Sequence, residues 1–304
     1  MDNPQAAEHA TTVRVRIDLA YDGSAFSGWA AQPGLRTVQG EIESGLATLF
    51  VRDGEDPPRV VVAGRTDAGV HATGQVLHVD LDADRLAALA RPGRGGATER
   101  SALSPVEVLA RRLGGIAGRA GDIVVHGASL APAGFDARFS PVWRRYEYRV
   151  ADGRAPRDPR RRHDTLAVRD TLDVDAMNQA ADALLGLRDF GAFCKPREGA
   201  TTVRTLQEYA WREAHDGVLV ATVRADAFCH SMVRSLVGAA IAVGRGALDI
   251  DTLVAARDAA ARTSLFPVVA PHGLTLVEVG YPPDDELAAR AEQTRAKREI
   301  AESA

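Results

Sequence analysis

Residues 205–228 read TLQEYAWREAHDGVLVATVRADAF. Two stretches that suit strands flank His215-Asp216-Gly217, a turn signal, and so predict a hairpin. A hairpin commits its two strands to antiparallel pairing. Earlier, VRVRIDLAYDG (13–23) alternates cleanly, with Val13, Val15, Ile17 and Leu19 on one face and Arg14, Arg16 and Asp18 on the other, the pattern of a half-buried strand. Further strands are expected at 59–63, 75–81, in IVVHGASL, in WRRYEYRV and in GLTLVEVGYP. Helical spacing appears in VQGEIESGLATLF, where Val38, Ile42, Leu46 and Leu49 form one stripe and Thr37 is placed to cap. PVEVLARRLGGIA, DVDAMNQAADALLG, HSMVRSLVGAAIAVGRG and DIDTLVAARDAAA also read as helices. Hairpins outweigh strand–helix–strand units, which favours an α+β fold with antiparallel or mixed sheets.

The chain has 304 residues, 45% hydrophobic and 26% charged, enough for one large or two medium domains. We expect a disordered N-terminus at 1–12, an N-terminal domain at 13–150, a C-terminal domain at 151–283 and a polar tail at 284–304, peripherally helical or frayed. The Gly- and Arg-rich RPGRGGATERS is expected to be a mobile loop. No apolar run approaches the roughly 18 residues that span a bilayer, and no signal peptide is visible. Cys194 and Cys229 lie far apart with no CxxC pair. This suits a reducing cytosol and argues against a zinc site or a disulfide framework. No G-x-G-x-x-G follows a strand and no G-x-x-x-x-G-K is present, so dinucleotide and P-loop readings fail.

Net charge is −4, yet residues 138–162 hold nine arginines against three acids. One basic stretch in a near-neutral chain suits a polyanion on one face. A solvated loop is the plainer reading, since Arg dominates Lys throughout the chain.

VAGRTDAGVHATGQ (62–75) sets Asp67 in a glycine-punctuated loop between two strands. Glycines at 64, 69 and 74 allow close backbone approach to a ligand. Arg65 beside it would favour the ionised carboxylate. Such an Asp can be a nucleophile, a general base, a metal ligand, or simply a turn residue bonding its own backbone. No second carboxylate clusters with it, which weakens the metal reading. Cys229-His230 as a thiol nucleophile is disfavoured, because neighbouring residues in a strand face opposite ways. Phe26 and Trp29 read as packing residues, and Tyr146 could equally be core.

GRTDAGVHATGQV closely resembles the central motif of the tRNA pseudouridine synthase A family. AYDGSAFSGW (20–29), TVQGEIE (37–43), FDARFSPVWRRYEYRV (135–150), DFGAF (189–193), AFCHSMVRSLVG (227–238) and GLTLVEVGYP (273–282) agree with it in order. The similarity spans roughly 13–283; the segment 82–121 and the tail depart from it. The resemblance implies the pseudouridine synthase fold, with two similar α/β domains flanking a basic cleft. It implies Asp67 as the catalytic carboxylate, Tyr146 as a base-stacking ring, Arg234 as the basic partner of the aspartate, and Leu274 as a wall of the uracil pocket. Arg65 and Arg138 match further active-site and RNA-contacting positions. Arg144, Arg160, Arg161 and Arg162 are candidates for the RNA backbone. The implied reaction turns uridine into pseudouridine at positions 38, 39 and 40 of the tRNA anticodon stem-loop, in a cytoplasmic homodimer. An isomerisation calls for no cofactor and no metal. A non-catalytic RNA-binding or tRNA-folding protein on the same scaffold, or a synthase with another RNA target, is the alternative.

Overall fold

A computed structural model of the chain describes residues 11–52, 55–91, 103–195 and 201–302. Most of 1–12 and of RPGRGGATERS lies outside the described residues. The elements run, in order, β1 (Thr12–Tyr21), α1 (Val38–Phe50), β2 (Val60–Val62), β3 (His71–Asp82), α2 (Ala83–Ala88), α3 (Pro105–Ala117), β4 (Ile123–Leu130), β5 (Trp143–Ala151) and β6 (Leu166–Ala167). After these come α4 (Val174–Ala183), β7 (Gly186–Asp189), β8 (Val203–Glu213), β9 (Leu219–Ala225), α5 (Met232–Gly244), α6 (Ile250–Asp258), β10 (Leu274–Gly280) and α7 (Leu287–Glu302).

The strands form one sheet in the order β4-β1-β3-β10-β5-β9-β8-β7, with β2 on β3 and β6 on β5. Its pairings are antiparallel except β10 with β3 and β6 with β5. The α+β expectation therefore holds, with a mixed sheet that does not close. β10, the last strand, lies between β3 and β5, where Thr275 and Leu276 pair with His71 and Ala72. The chain's late segment thus joins the strand that leaves the Asp67 loop.

Val15, Ile17, Leu19 and Tyr21 of β1 are buried, as the alternation predicts. Thr37 caps α1 by accepting from the Gly40 amide. Val38, Ile42 and Leu46 of the expected stripe turn inward, Leu49 is only partly buried, Phe50 is buried beside it in sequence, and α1 packs against α3. A capping box between Ser104 and Glu107 starts α3, which satisfies two amides that a helix otherwise leaves open. Met177, Ala180, Ala181 and Leu184 are fully buried where α4 meets α5. The β8–β9 hairpin turns through Gly217 at φ 74°. The polar tail is a docked helix: Leu287 and Ala291 are buried, and Arg295 bonds Asp136 at 2.7 Å.

There is no disulfide framework among the described residues, but Cys194 and Cys229, far apart in sequence, meet in space. The two are joined as a disulfide with Cα atoms 5.7 Å apart, within the usual range for such a bond. Chain proximity explains it. The amide of Lys195 donates to the carbonyl of His230 at 3.0 Å, which lays the two segments side by side. Cys229 and His230 also leave β9 behind and sit in the turn that enters α5, so the alternation of a strand does not govern them.

Candidate active site

Residues 63–70 form a short crossing between β2 and β3 and are pinned from several sides. The Trp29 amide donates to the Thr66 carbonyl at 3.0 Å, and the Val70 amide to that of Asp67 at 3.1 Å. Gly28 faces the loop at φ 92°, where a Cβ would stand 3.1 Å from the Thr66 carbonyl oxygen and 3.2 Å from the Ala68 amide. This position therefore requires glycine both for its left-handed backbone and for the close approach. Beneath the loop, Tyr21 Oη and Thr66 Oγ1 are 2.8 Å apart. Gln75 Nε2 donates to Tyr21 Oη at 3.1 Å and to the Gly64 carbonyl at 2.9 Å. Burial pushes the Tyr21 hydroxyl up to about 12, with Thr66 and Gln75 opposing it, so Tyr21 stays a neutral member of this network.

His71 anchors the far end of the loop. The Gly23 amide donates to its Nδ1 at 3.1 Å. Its Nε2 faces the carbonyl oxygens of His163 and His272 at 2.7 and 3.0 Å, and Asp22 Oδ1 lies 3.1 Å from Nδ1.

A cavity of about 760 Å³ opens above the loop, lined by Asp67, Tyr146, Leu274 and the entry to α5 among others. Arg65, Arg138 and Arg144 also line it. Two nitrogen side chains from one segment, a guanidinium and an imidazole, flank Asp67. Arg234 Nη1 lies 3.5 Å from Oδ2, and His230 Nε2 lies 3.6 Å from Oδ1. Arg234 is only 19% exposed, and its Nε donates to the Val269 carbonyl at 2.7 Å. That bond orients the guanidinium on a carboxylate that has come from the opposite half of the sequence. Between His230 and Arg234, Ser231 adopts φ 66°, ψ 4°, and gives α5 no side-chain cap. A non-glycine residue held there costs of order 1 kcal/mol or more, a strain found at functional sites. The uncapped start of α5 also turns amide donors and the positive end of its dipole toward the cavity wall.

The ring of Tyr146 on β5 is 8% exposed and meets Phe228 edge to face, centroids 5.1 Å apart at 89°. Burial holds its hydroxyl far above the ordinary phenol range; Tyr21 and Asp67 push the same way and Arg144 opposes. Leu274, first residue of β10, is buried beside it, and the next inward residue, Leu276, pairs with Tyr146 across the sheet. Arg144 donates to the carbonyls of Asp226, Ala63 and Arg138 at 2.8, 2.9 and 3.1 Å. Arg65 is exposed at the mouth.

Asp67, Tyr146, Arg234 and Leu274 thus converge on one cavity with Arg65, Arg138 and Arg144. Arg160, Arg161 and Arg162 do not line it. They are exposed on the loop before β6: Arg160 pairs with Asp158 at 2.7 Å, Arg161 pairs with Asp164, and Arg162 bonds the Pro159 carbonyl at 3.0 Å. Sequence reading missed His230 as a partner of Asp67, Phe228 as a partner of Tyr146, and the Gln75–Tyr21–Thr66 network. The signal for His230 was its position four residues before Arg234 at a helix entry.

A model of the tRNA pseudouridine synthase family matches residues 180–282, the part of the chain that carries Arg234 and Leu274. Full-length likeness is greater. A tRNA pseudouridine synthase A of Leifsonia xyli is 57% identical over 94% of this chain and 98% of its own. That of Streptomyces avermitilis is 52% identical over 95% of each, and that of Frankia casuarinae 52% over 94% and 96%. The chain belongs to the tRNA pseudouridine synthase A family.

Proposed function

We propose that this chain converts uridine to pseudouridine in the anticodon stem-loop of tRNA, at positions 38, 39 and 40, with Asp67 as the essential carboxylate. Membership of the family makes it an isomerase of uridine in tRNA; the positions and the residue roles are our reading. The observation that carries that reading is the meeting of Asp67 with Arg234 at the floor of a cavity walled by Tyr146 and Leu274.

The chemistry suits these groups. Breaking N1–C1′ puts cationic character on the sugar, as in glycoside hydrolysis. A carboxylate with Arg234 3.5 Å away meets that charge, whether it captures C1′ or removes a sugar proton. Uracil must leave its stack and turn, and the flat, buried face of Tyr146 suits a displaced base. Enzymes that pass a sugar to water commonly use two carboxylates; an isomerase that keeps its leaving group needs one. We assign the domains as 13–150 and 151–283, so that the first supplies Asp67 and the second Arg234. Arg65 and Arg138 at the mouth are assigned to RNA. The donors of Arg144, engaged by three carbonyls, also hold the loop. Residence in the cytoplasm and a homodimer are further parts of the reading, supported by the resemblance.

Mapping pseudouridine in tRNA from cells lacking this chain tests the proposal. Uridine persisting at positions 38, 39 and 40 supports it, and unchanged pseudouridine there sinks it. Loss confined to other tRNA positions would move the activity to another part of the molecule.

A further inference from the structure

We propose that His230 is a catalytic residue that accepts the C5 proton which formation of the new carbon–carbon bond leaves to be removed. The proposal rests on the reading of Asp67 as the carboxylate that acts at the sugar.

The need follows from the bond changes. Cleavage of N1–C1′ leaves its electron pair on the uracil ring. After the ring turns, C5 uses a pair of that anion to bond C1′, and whatever group holds C1′ departs with its own pair. The ring now carries an N1=C6 imine and a hydrogen on C5. To finish, the C5–H bond must break. Its electron pair restores C5=C6, the imine pair moves to N1, and N1 takes up a proton. One proton is lost at C5 and one gained at N1, so the product is an isomer and no co-reactant is consumed.

A base is therefore required beside C1′, and few groups qualify. Among the described residues that line the cavity, those that exchange protons are Asp67, Tyr146, His230 and the arginines, with Cys229 committed to its disulfide. Asp67 acts first at the sugar and is set free as the new bond forms, when Arg234 still stands 3.5 Å from its Oδ2. Arginines stay protonated. The Tyr146 hydroxyl is held protonated by burial and by the charge of Asp67. His230 is the further candidate, and imidazole is the side chain that most often serves as a general base.

Its placement fits the task. Nε2 stands 3.6 Å from Asp67 Oδ1, longer than a hydrogen bond, so the carboxylate does not consume the imidazole nitrogen. Arg234 takes the other carboxylate oxygen. The side chain of His230 lines the cavity and is 47% exposed, while that of Arg234 is 19% exposed. Its backbone is fixed. Lys195 donates to the His230 carbonyl, Cys229 before it is bonded to Cys194, and Ser231 after it sits in the left-handed region.

The test is single-turnover conversion of a tRNA transcript carrying either ordinary uridine or uridine deuterated at C5. It uses the full chain, its His230→Gln and Tyr146→Phe variants, and Asp67→Asn as control. His230→Gln is expected to lose about 10²–10⁴-fold in rate, the range for a removed general base. It should bind tRNA as the parent does and show a primary deuterium effect that the parent lacks. Added imidazole should restore part of the rate to His230→Gly, which a purely structural role would not allow. A His230→Gln rate within about threefold of the parent would overturn the proposal, as would a slow rate without an isotope effect. An isotope effect confined to Tyr146→Phe would assign the proton to the tyrosine hydroxyl instead. If Asp67→Asn turned over normally, the underlying reading of Asp67 would fail. An inactive Asp67→Asn beside a full-rate His230→Gln would reject the role of His230 alone.

Discussion

Arg234 Nη1 lies 3.5 Å from Asp67 Oδ2 while its Nε donates to the Val269 carbonyl at 2.7 Å. The first contact places a charge and the second fixes its direction. Burying a guanidinium without a partner is costly, so an arginine in the apolar helix α5 needs both acceptors.

The Asp67→Asn variant is expected to form no pseudouridine while its affinity for tRNA is unchanged or higher, since a negative charge is removed. Arg234→Met should lower turnover by up to roughly 5-fold, since an ion pair partly open to solvent is worth up to about 1 kcal/mol. Substantial turnover by purified Asp67→Asn would remove the residue from the chemistry.

Replacing Tyr146 separates ring from hydroxyl. Tyr146→Phe keeps the edge-to-face contact with Phe228 and should keep most of the base interaction. Tyr146→Ala should lose about 1–3 kcal/mol of stacking and about 3–5 kcal/mol of stability, as for other large aromatic truncations. Titration with a tRNA transcript and urea unfolding read the two effects. An equal loss of tRNA affinity in both variants would show that the ring does not stack on the base.

Replacing Arg160, Arg161 and Arg162 by Gln tests the exposed loop before β6. Each arginine that reaches a phosphate releases counterions and contributes about 0.7–0.9 to the slope of log affinity against log salt. The triple variant should flatten that slope by up to roughly 2–3 units, with the same uridines modified, because phosphate contacts position RNA without reading bases. Since Arg160 and Arg161 hold Asp158 and Asp164 in the free chain, an unchanged slope would mean that these pairs persist and the loop stays off the RNA.

Asp152 is buried at the base of that loop and accepts from the amides of Arg154, Ala155 and Leu172 at 3.0, 3.1 and 3.1 Å. Burial, the largest influence, raises its pKa; the three amides and the Arg154 side chain outweigh burial and hold it below the usual carboxylate range. A folded-state value below the unfolded one stabilises fully above the ordinary range, near pH 4. The gain is lost as pH falls through the lowered folded value. Asp152→Asn should therefore cost about 1–3 kcal/mol at pH 7, and the gap between variant and parent should narrow below about pH 4. Urea unfolding at pH 7 and pH 3 reads it; a gap that does not change with pH would count against an ionised Asp152.

Local patterns carried much of the fold. Helix α1 and the inward faces of β1 and α4 follow from periodicity and capping, because side-chain spacing alone decides which face of a helix or strand is apolar. The turn through Gly217 follows from a residue that tolerates positive φ. Less legible was the stretch 226–231. The sequence reads as strand through Phe228 and as helix from His230, yet Ser231 turns the chain at φ 66° with no glycine to announce it. That one turn directs His230 at Asp67 and brings Cys229 onto Cys194, and both relations escaped the sequence.

By itself the sequence determined the elements, the glycine-bounded loop that holds Asp67, and a match to one family through its motifs. Those properties depend on residues near one another in the chain. The insertion of β10 between β3 and β5, the burial of Tyr146 against Phe228, and the placing of Arg234 and His230 on opposite oxygens of one carboxylate were decided only by tertiary structure. Each joins segments more than eighty residues apart. Periodicity says which face of a segment is buried, but not which distant segment buries it.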